Sequence, residues 1–251
     1  MIHPNLAALY ADESRLRAVI EAVLEGRVGD ALVDATTRPR AACLKLGCYA
    51  IFAGDPEAAR VSELLAALQA PIELIIPRSP EWLQLLQARY GRRLVQRPMQ
   101  AYRPDQIDCE RLCALAASIP AGYRLARLDA GLAQQLGPRL RPNGREVLEQ
   151  PQAFAEMAGG VGLVAGGVLA CAATSYAFSA RSIELAIATD PDHRGRGLAT
   201  CAAAEWTRIC LERGITPHWN ASNPVSQRLA LRLGYRPAEV VEVWFLPDRV
   251  A

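Results

Sequence analysis

The sequence predicts an α/β (α+β) chain in two lobes, a C-terminal domain preceded by a smaller, degenerate α/β lobe. Three observations carry this. The chain has 251 residues, of which 51% are apolar, enough for one large core or two ordinary ones. Its C-terminal half alternates period-two runs with runs of helical period. Its N-terminal half repeats part of that order, and short strings echo across the halves: "LLQARYGRR" against "LALRLGYRP", and "AGDPEAARVSELL" against "ATDPDHRGRGLAT".

The C-terminal half is legible element by element. "YRLARLD" from Tyr123 reads as a strand, and helical runs follow near 130–137 and 143–158. "VGLVA" and "VLACAATSYAF" flank Gly166-Gly167 and read as a hairpin with a two-residue turn. "SIELAIATD" is a third strand, with Ile183, Leu185 and Ile187 on one face and Glu184, Ala186 and Ala188 on the other. From Leu198 the spacing becomes helical, with Gly214 placed as the stop. "ITPHW" is a short strand, Asn223-Pro224 has the signature of a helix cap and first turn, Gly234 ends that helix, and "EVVEVWFL" is the last strand.

In the N-terminal half the pattern gives a helix near 5–25, strands near 28–35 and 41–53, a helix from Pro56 to Gln69 and a strand "IELIIP". A helix "SPEWLQLLQARYG" and a strand "RLVQRPMQAYRP" complete it. Residues 1–104 are therefore expected to form the N-terminal lobe, 105–118 a linker and connecting helix, and 119–251 the C-terminal domain.

Composition narrows the partners. Net charge is +2 and Lys45 is the single lysine, so neither nucleic acid nor a membrane surface is expected. Seven cysteines without a Cys-x-x-Cys pair, and three histidines, give no disulfide framework and no metal site; buried thiols in a reducing cytoplasm are the expectation. The N-terminus has no export signal pattern, and a cytoplasmic location is expected. Met157–Ala180 is uncharged and long enough to span a bilayer, but its glycines favour the hairpin over a spanning helix.

The turn "DPDHRGRGLAT" carries the functional signal. It ends a strand at Asp190-Pro191, passes Gly195 and Gly197, and opens a helix at Leu198. Free N–H groups and partial positive charge at a helix start suit a phosphate, and Arg194 and Arg196 add full charges. The spacing is neither a dinucleotide fingerprint nor a P-loop. It matches Arg-x-x-Gly-x-Ala as Arg194, Gly197 and Ala199, which resembles the acetyl-CoA-binding motif of the GNAT superfamily of N-acyltransferases. The resemblance extends from about Ile119 to the end, taking in the Glu184 strand and "NPVSQRLALRLGYRP". The resemblance implies the GNAT fold, a mixed, mostly antiparallel sheet flanked by helices, and the two-lobed layout is similar to a bacterial GNAT subgroup whose N-terminal lobe is a worn copy of that fold. The equivalent turn there, "AGDPEAARV", lacks the glycine pair and is not expected to bind CoA.

This resemblance implies an acetyl-CoA-dependent N-acetyltransferase acting on a primary amine, of a small molecule or an amino terminus, by direct attack in a ternary complex. Acetyl-CoA would lie against Ile187, Ala188, Thr189, Arg194, Gly195, Arg196, Gly197, Leu198, Ala199, Thr200, Asn223 and Ser226. Glu184 is the expected base, against the alternative of a charge on a solvated strand face. Many members protonate the departing thiolate with a tyrosine, but alignment through Leu233-Gly234 puts Ala230 there; Ser226, His218, Tyr176 or water would take its place. Asn223 either contacts the pantetheine arm or only caps its helix, and His218 beside Trp219 is either catalytic or a core pair. Arg139, Arg141 and Arg145 border the expected acceptor cleft, where with Tyr176 they would read the substrate, or else form a solvated loop. An acyl-CoA-binding regulatory protein without transfer activity is the alternative function, and a homodimer is left open.

Overall fold

The computed structural model describes residues 4–11, 16–66, 68, 72–137, 139–140, 154–155 and 159–246. These fall into two compact units, Met1–Met99 with Val240–Ala251, and Gln100–Glu239.

The first unit begins with α1 (Pro4–Ala8) and α2 (Arg17–Leu24) where one helix was expected. Strands β1 (Asp30–Val33), β2 (Ala41–Leu46) and β3 (Tyr49–Gly54) follow. The run 41–53, expected as one strand, is a hairpin that reverses at Gly47. Next come α3 (Val61–Ala66), β4 (Ile72–Pro77), α4 (Pro80–Tyr90) and the start of β5 (Val95–Arg103). Helix α3 starts at Val61 instead of Pro56 because Arg60 holds a left-handed φ of 64°, which a right-handed helix cannot include. Ser79 caps α4 by accepting from the Trp82 backbone N at 3.3 Å. Trp82 then stacks on Phe52, with ring centroids 5.0 Å apart, and its indole donates to the Gly54 carbonyl at 2.8 Å.

The second unit contains α5 (Cys109–Ala117), β6 (Arg124–Arg127), α6 (Ala130–Gln134), β7 (Gly160–Ala165), β8 (Val168–Phe178) and β9 (Ser182–Thr189). It continues with α7 (Leu198–Glu212), β10 (Thr216–Ala221), α8 (Pro224–Leu233) and the start of β11 (Arg236–Leu246). The β7–β8 hairpin turns on Gly166 and Gly167, both with positive φ. No helix among the described residues is long and apolar enough to cross a membrane. Most of the helix expected over 143–158, with Arg141 and Arg145, lies outside the described residues.

The repeat is more complete than the echoing strings indicated. β1–β2–β3–α3–β4–α4–β5 runs in the same order as β7–β8–β9–α7–β10–α8–β11. In each copy the first three strands are antiparallel neighbours and the fourth pairs parallel to the third. The final strands are exchanged: β11 pairs with β4 in the first unit, through Trp244↔Ile75, and β5 pairs with β10 in the second, through Trp219↔Tyr102. For this reason residues from Val240 onward group with the first unit, whereas the sequence had assigned everything from 119 to 251 to the second. Trp244 and Leu246 join Phe52, Ile75, Trp82 and Leu86 in one apolar core.

Candidate functional site

Strand β9 ends in a short 3-10 turn, Pro191–His193, which Asp190 caps through Oδ1, accepting from the Asp192 backbone N at 3.0 Å. The chain then passes Gly195 (φ 75°) and Gly197 (φ 81°) before α7 begins at Leu198. Both dihedrals are left-handed, so glycine is required for the backbone to turn there without strain. A helix of 15 residues thus opens with its free N–H groups at the turn, with Arg194 and Arg196 on its approach.

The turn opens on a cavity of about 810 Å³. Its walls are Leu185, Ile187, Ala188 and Thr189 of β9, the turn from His193 to Gly197, Leu198 and Ala199 of α7, Trp219 and Asn220 of β10, and Asn223, Val225, Ser226 and Leu229 on and before α8. Arg139 lines it as well. Every residue expected to hold the carrier lines this cavity except Thr200, which is buried in α7.

The cavity exists because two strands part. β9 and β10 pair in parallel from Ser182↔Thr216 to Glu184↔His218, and among the described residues the ladder goes no further. At the fork, Glu184 occupies the place of the next backbone bonds. Its Oε1 accepts from the Asn220 backbone N at 3.0 Å, and its two oxygens accept from Asn220 Nδ2 at 3.1 and 2.9 Å. Glu184 is 3% exposed, and this desolvation pushes its carboxyl up to about 7 although the Asn220 hydrogen bonds favour the charged form. The Asn220 Oδ1 atom is buried without a hydrogen-bond partner, as is Ser175 Oγ on β8.

Alternation along β9 sends Leu185 and Ile187 into the cavity and Glu184 to the opposite face of the sheet. Glu184 is accordingly not a lining residue; Asn220, which holds it, is. Neither His218, in register with Glu184, nor Tyr176, the extra residue where the β8 register shifts between Ser175 and Ala177, lines the cavity. Ser226 does. Its Oγ accepts from Trp219 Nε1 at 2.9 Å, which leaves the hydroxyl hydrogen available. Ala230, one helical turn further along α8, is fully buried.

Asn223 caps α8, its Oδ1 accepting from the Ser226 backbone N at 2.9 Å, and it faces the cavity as well. Arg139 is engaged by the turn itself: Nε and Nη2 donate to the two oxygens of Asp190, and Nη2 to Asp192, all at 2.7 Å. The guanidinium holds the Asp190 carboxyl below the usual carboxylate range. Cys171 is buried with its thiol pushed up to about 12 and accepts from Thr189 Oγ1 at 3.2 Å, which makes it an inert core thiol. Cys109 and Cys113 depart from the expectation of buried thiols: both are exposed on α5.

Sequence reading missed Asn220, Trp219, Leu185 and the Arg139 contacts. Asn220 carried no signal beyond its neighbourhood to Asn223, because its partner lies 36 positions away and only the parallel register joins them.

A strand pair parts at a buried carboxylate, beside a glycine turn at a helix head, and one cavity joins the two features. The chain belongs to the GNAT acetyltransferase family, whose model matches residues 9–243. Over 129 residues it is 26% identical to the uncharacterized N-acetyltransferase YdfB of Bacillus subtilis (strain 168), a match covering 51% of this chain and 49% of that protein. The match therefore spans about half the length of that relative. Among solved structures, a GCN5-related N-acetyltransferase-like protein from Streptococcus suis 89/1591 superposes with a TM-score of 0.81 at 27% identity, over 96% of each chain. A GCN5-related N-acetyltransferase from Kribbella flavida shares the fold, with a TM-score of 0.62 at 18% identity over 94% of this chain and 97% of that one.

Proposed function

We propose that the unit Gln100–Glu239 binds acetyl-CoA in the 810 Å³ cavity and transfers the acetyl group to a primary amine, of a small molecule or an amino terminus, by direct attack. The observation that carries this reading is the continuity of one cavity from the Gly195–Gly197 turn, along Ile187–Thr189, to Asn220 at the fork. The pyrophosphate would sit on the turn and the head of α7. The pantetheine arm would run beside β9 toward Asn223 and Ser226. The acceptor would arrive from the other face of the sheet, where Glu184 lies.

An alkylammonium has a pKa near 10, so at neutral pH it must lose a proton before it attacks. Glu184, with a pKa near 7, takes that proton, directly or through one water. The unpaired Asn220 Oδ1 accepts a remaining N–H of the amine and orients it. The nitrogen lone pair forms the new C–N bond, the tetrahedral oxyanion draws on backbone N–H groups near Ala188–Thr189, and the C–S bond breaks. The Ser226 hydroxyl donates a hydrogen bond to the departing thiolate, and the second proton, shed by the nitrogen as the intermediate collapses, passes through water to the sulfur. The products are an acetamide, CoA thiol and the proton held by Glu184.

The test is calorimetric titration of acetyl-CoA into the wild type and Gly197→Glu, with free-thiol release followed against an amine panel. Micromolar binding lost in the variant, with amine-dependent thiol release, is the expected result. A second reading, acyl-CoA sensing without transfer, is favoured by the fully buried Ala230 at the position of the family's usual phenol. Tight binding with no thiol release from any amine selects that reading; absence of binding removes both.

A further inference from the structure

Arg139 was expected to read the acceptor, but its contacts are with the carrier turn. Asp190 serves that turn as the cap of Pro191–His193, and an ionised carboxylate is a strong cap. The cap carries an electrostatic cost. Asp190 and Asp192 bring two negative charges next to the N–H groups and arginines on which an anionic ligand would rest. Left uncompensated they would repel phosphate and compete for Arg194 and Arg196. Arg139 is the group that meets both: three of its five N–H donors go to these two carboxylates, in a bidentate grip on Asp190 and a single bond to Asp192. It does so from the segment after α6, 51 positions away in sequence, and it lines the same cavity.

We infer that Arg139 is a positioning residue for the phosphate groups of the acyl carrier: it neutralises and holds Asp190 and Asp192 so that the Arg194–Gly197 turn accepts a polyphosphate ligand. This rests on the proposed binding of CoA in the cavity. It assigns Arg139 to carrier recognition and removes it from acceptor recognition. It also makes selectivity between phosphorylated and unphosphorylated pantetheine depend on a residue outside the glycine turn.

The experiment compares CoA, by calorimetry, with pantetheine, which has no phosphate, by saturation-transfer NMR. The proteins are the full-length wild type, Arg139→Gln and the triple variant Arg139→Gln/Asp190→Asn/Asp192→Asn. Asn at 190 keeps the capping oxygen, and thermal melts check each fold. Arg139→Gln is expected to weaken CoA about tenfold at low salt. The loss should shrink toward 0.5 M NaCl, pantetheine binding should be unchanged, and the triple variant should recover most of the CoA affinity. Equal losses for CoA and pantetheine, or no recovery in the triple variant, would show that Arg139 only staples the segment or contacts phosphate itself, and would overturn the inference. Unchanged CoA affinity in Arg139→Gln would overturn it too. Failure of the wild type to bind CoA at all would instead strike the proposed function, so the two failures are separable.

Discussion

At neutral pH the Glu184 carboxyl stands close to half-titration, because burial opposes its charge and Asn220 supports it. Its folded-state value near 7 lies above the usual 4.5, so the folded chain binds this proton more tightly than the unfolded chain does. The stabilisation is complete below pH 4.5 and is lost as pH rises through 7; a shift of this size corresponds to about 3 kcal/mol. Glu184→Gln removes that dependence without breaking the site: the unpaired Asn220 Oδ1 can accept the new amide after a flip of the Asn220 side chain. The variant is therefore expected to melt roughly 5–10 °C higher relative to wild type at pH 8 than at pH 5, read by calorimetry. It should also slow amine acetylation about a hundredfold and abolish the rise of kcat/KM through pH 7. Greater stability with less activity is the pattern of a group kept for chemistry. Thiol chemistry gives an independent check on burial: Cys109 and Cys113 should react rapidly with iodoacetamide in the native protein, and Cys171 only after unfolding, as mass mapping would show.

Two elements show how small residues set the sheet and the site. A Cβ added at Gly162 would lie 2.3 Å from Leu169 Cδ1 and 3.0 Å from the Cys171 carbonyl, so any larger residue there must displace the buried Leu169 side chain and press on the β7–β8 pair. Gly162→Ala is expected to cost about 1–3 kcal/mol in urea unfolding. Gly197 has open space where its Cβ would be, so alanine there meets only the strain of φ 81°, about 1–2 kcal/mol. At α8 the Asn223 cap and its cavity position separate by experiment. Asn223→Ala should lower stability by about 1 kcal/mol, and a contact with the pantetheine arm would appear as weaker acetyl-CoA binding beyond what Asn223→Asp, which keeps the cap, produces. Both helix starts were legible in the sequence because caps and glycine turns are local devices. The start of α3 was not, because an arginine in the left-handed region carries no residue-type signature.

Across the whole chain the strand exchange governs what can fold by itself. A fragment ending at residue 104 lacks the strand that pairs with β4 and the Trp244 and Leu246 side chains of the first unit's core. It is expected to show no cooperative thermal transition by circular dichroism, and a stable 1–104 fragment would contradict that account. Trp244→Ala in the intact chain should cost about 3–5 kcal/mol for the same reason. Periodicity, caps, glycine turns and the Arg194–Gly197–Ala199 spacing, all readable within a few residues, determined by themselves the fold class, most elements of both halves and the glycine turn on which the carrier is proposed to rest. Tertiary structure alone decided that the last strands trade places, that the cavity opens on the Leu185–Ile187 face with Glu184 behind it, that Asn220 holds the carboxylate, and that Arg139 serves the turn. The division has one physical cause. Helix and turn signals arise from interactions between near neighbours in the chain, whereas strand pairing and charge compensation join residues far apart in sequence, whose types do not record which partner they meet.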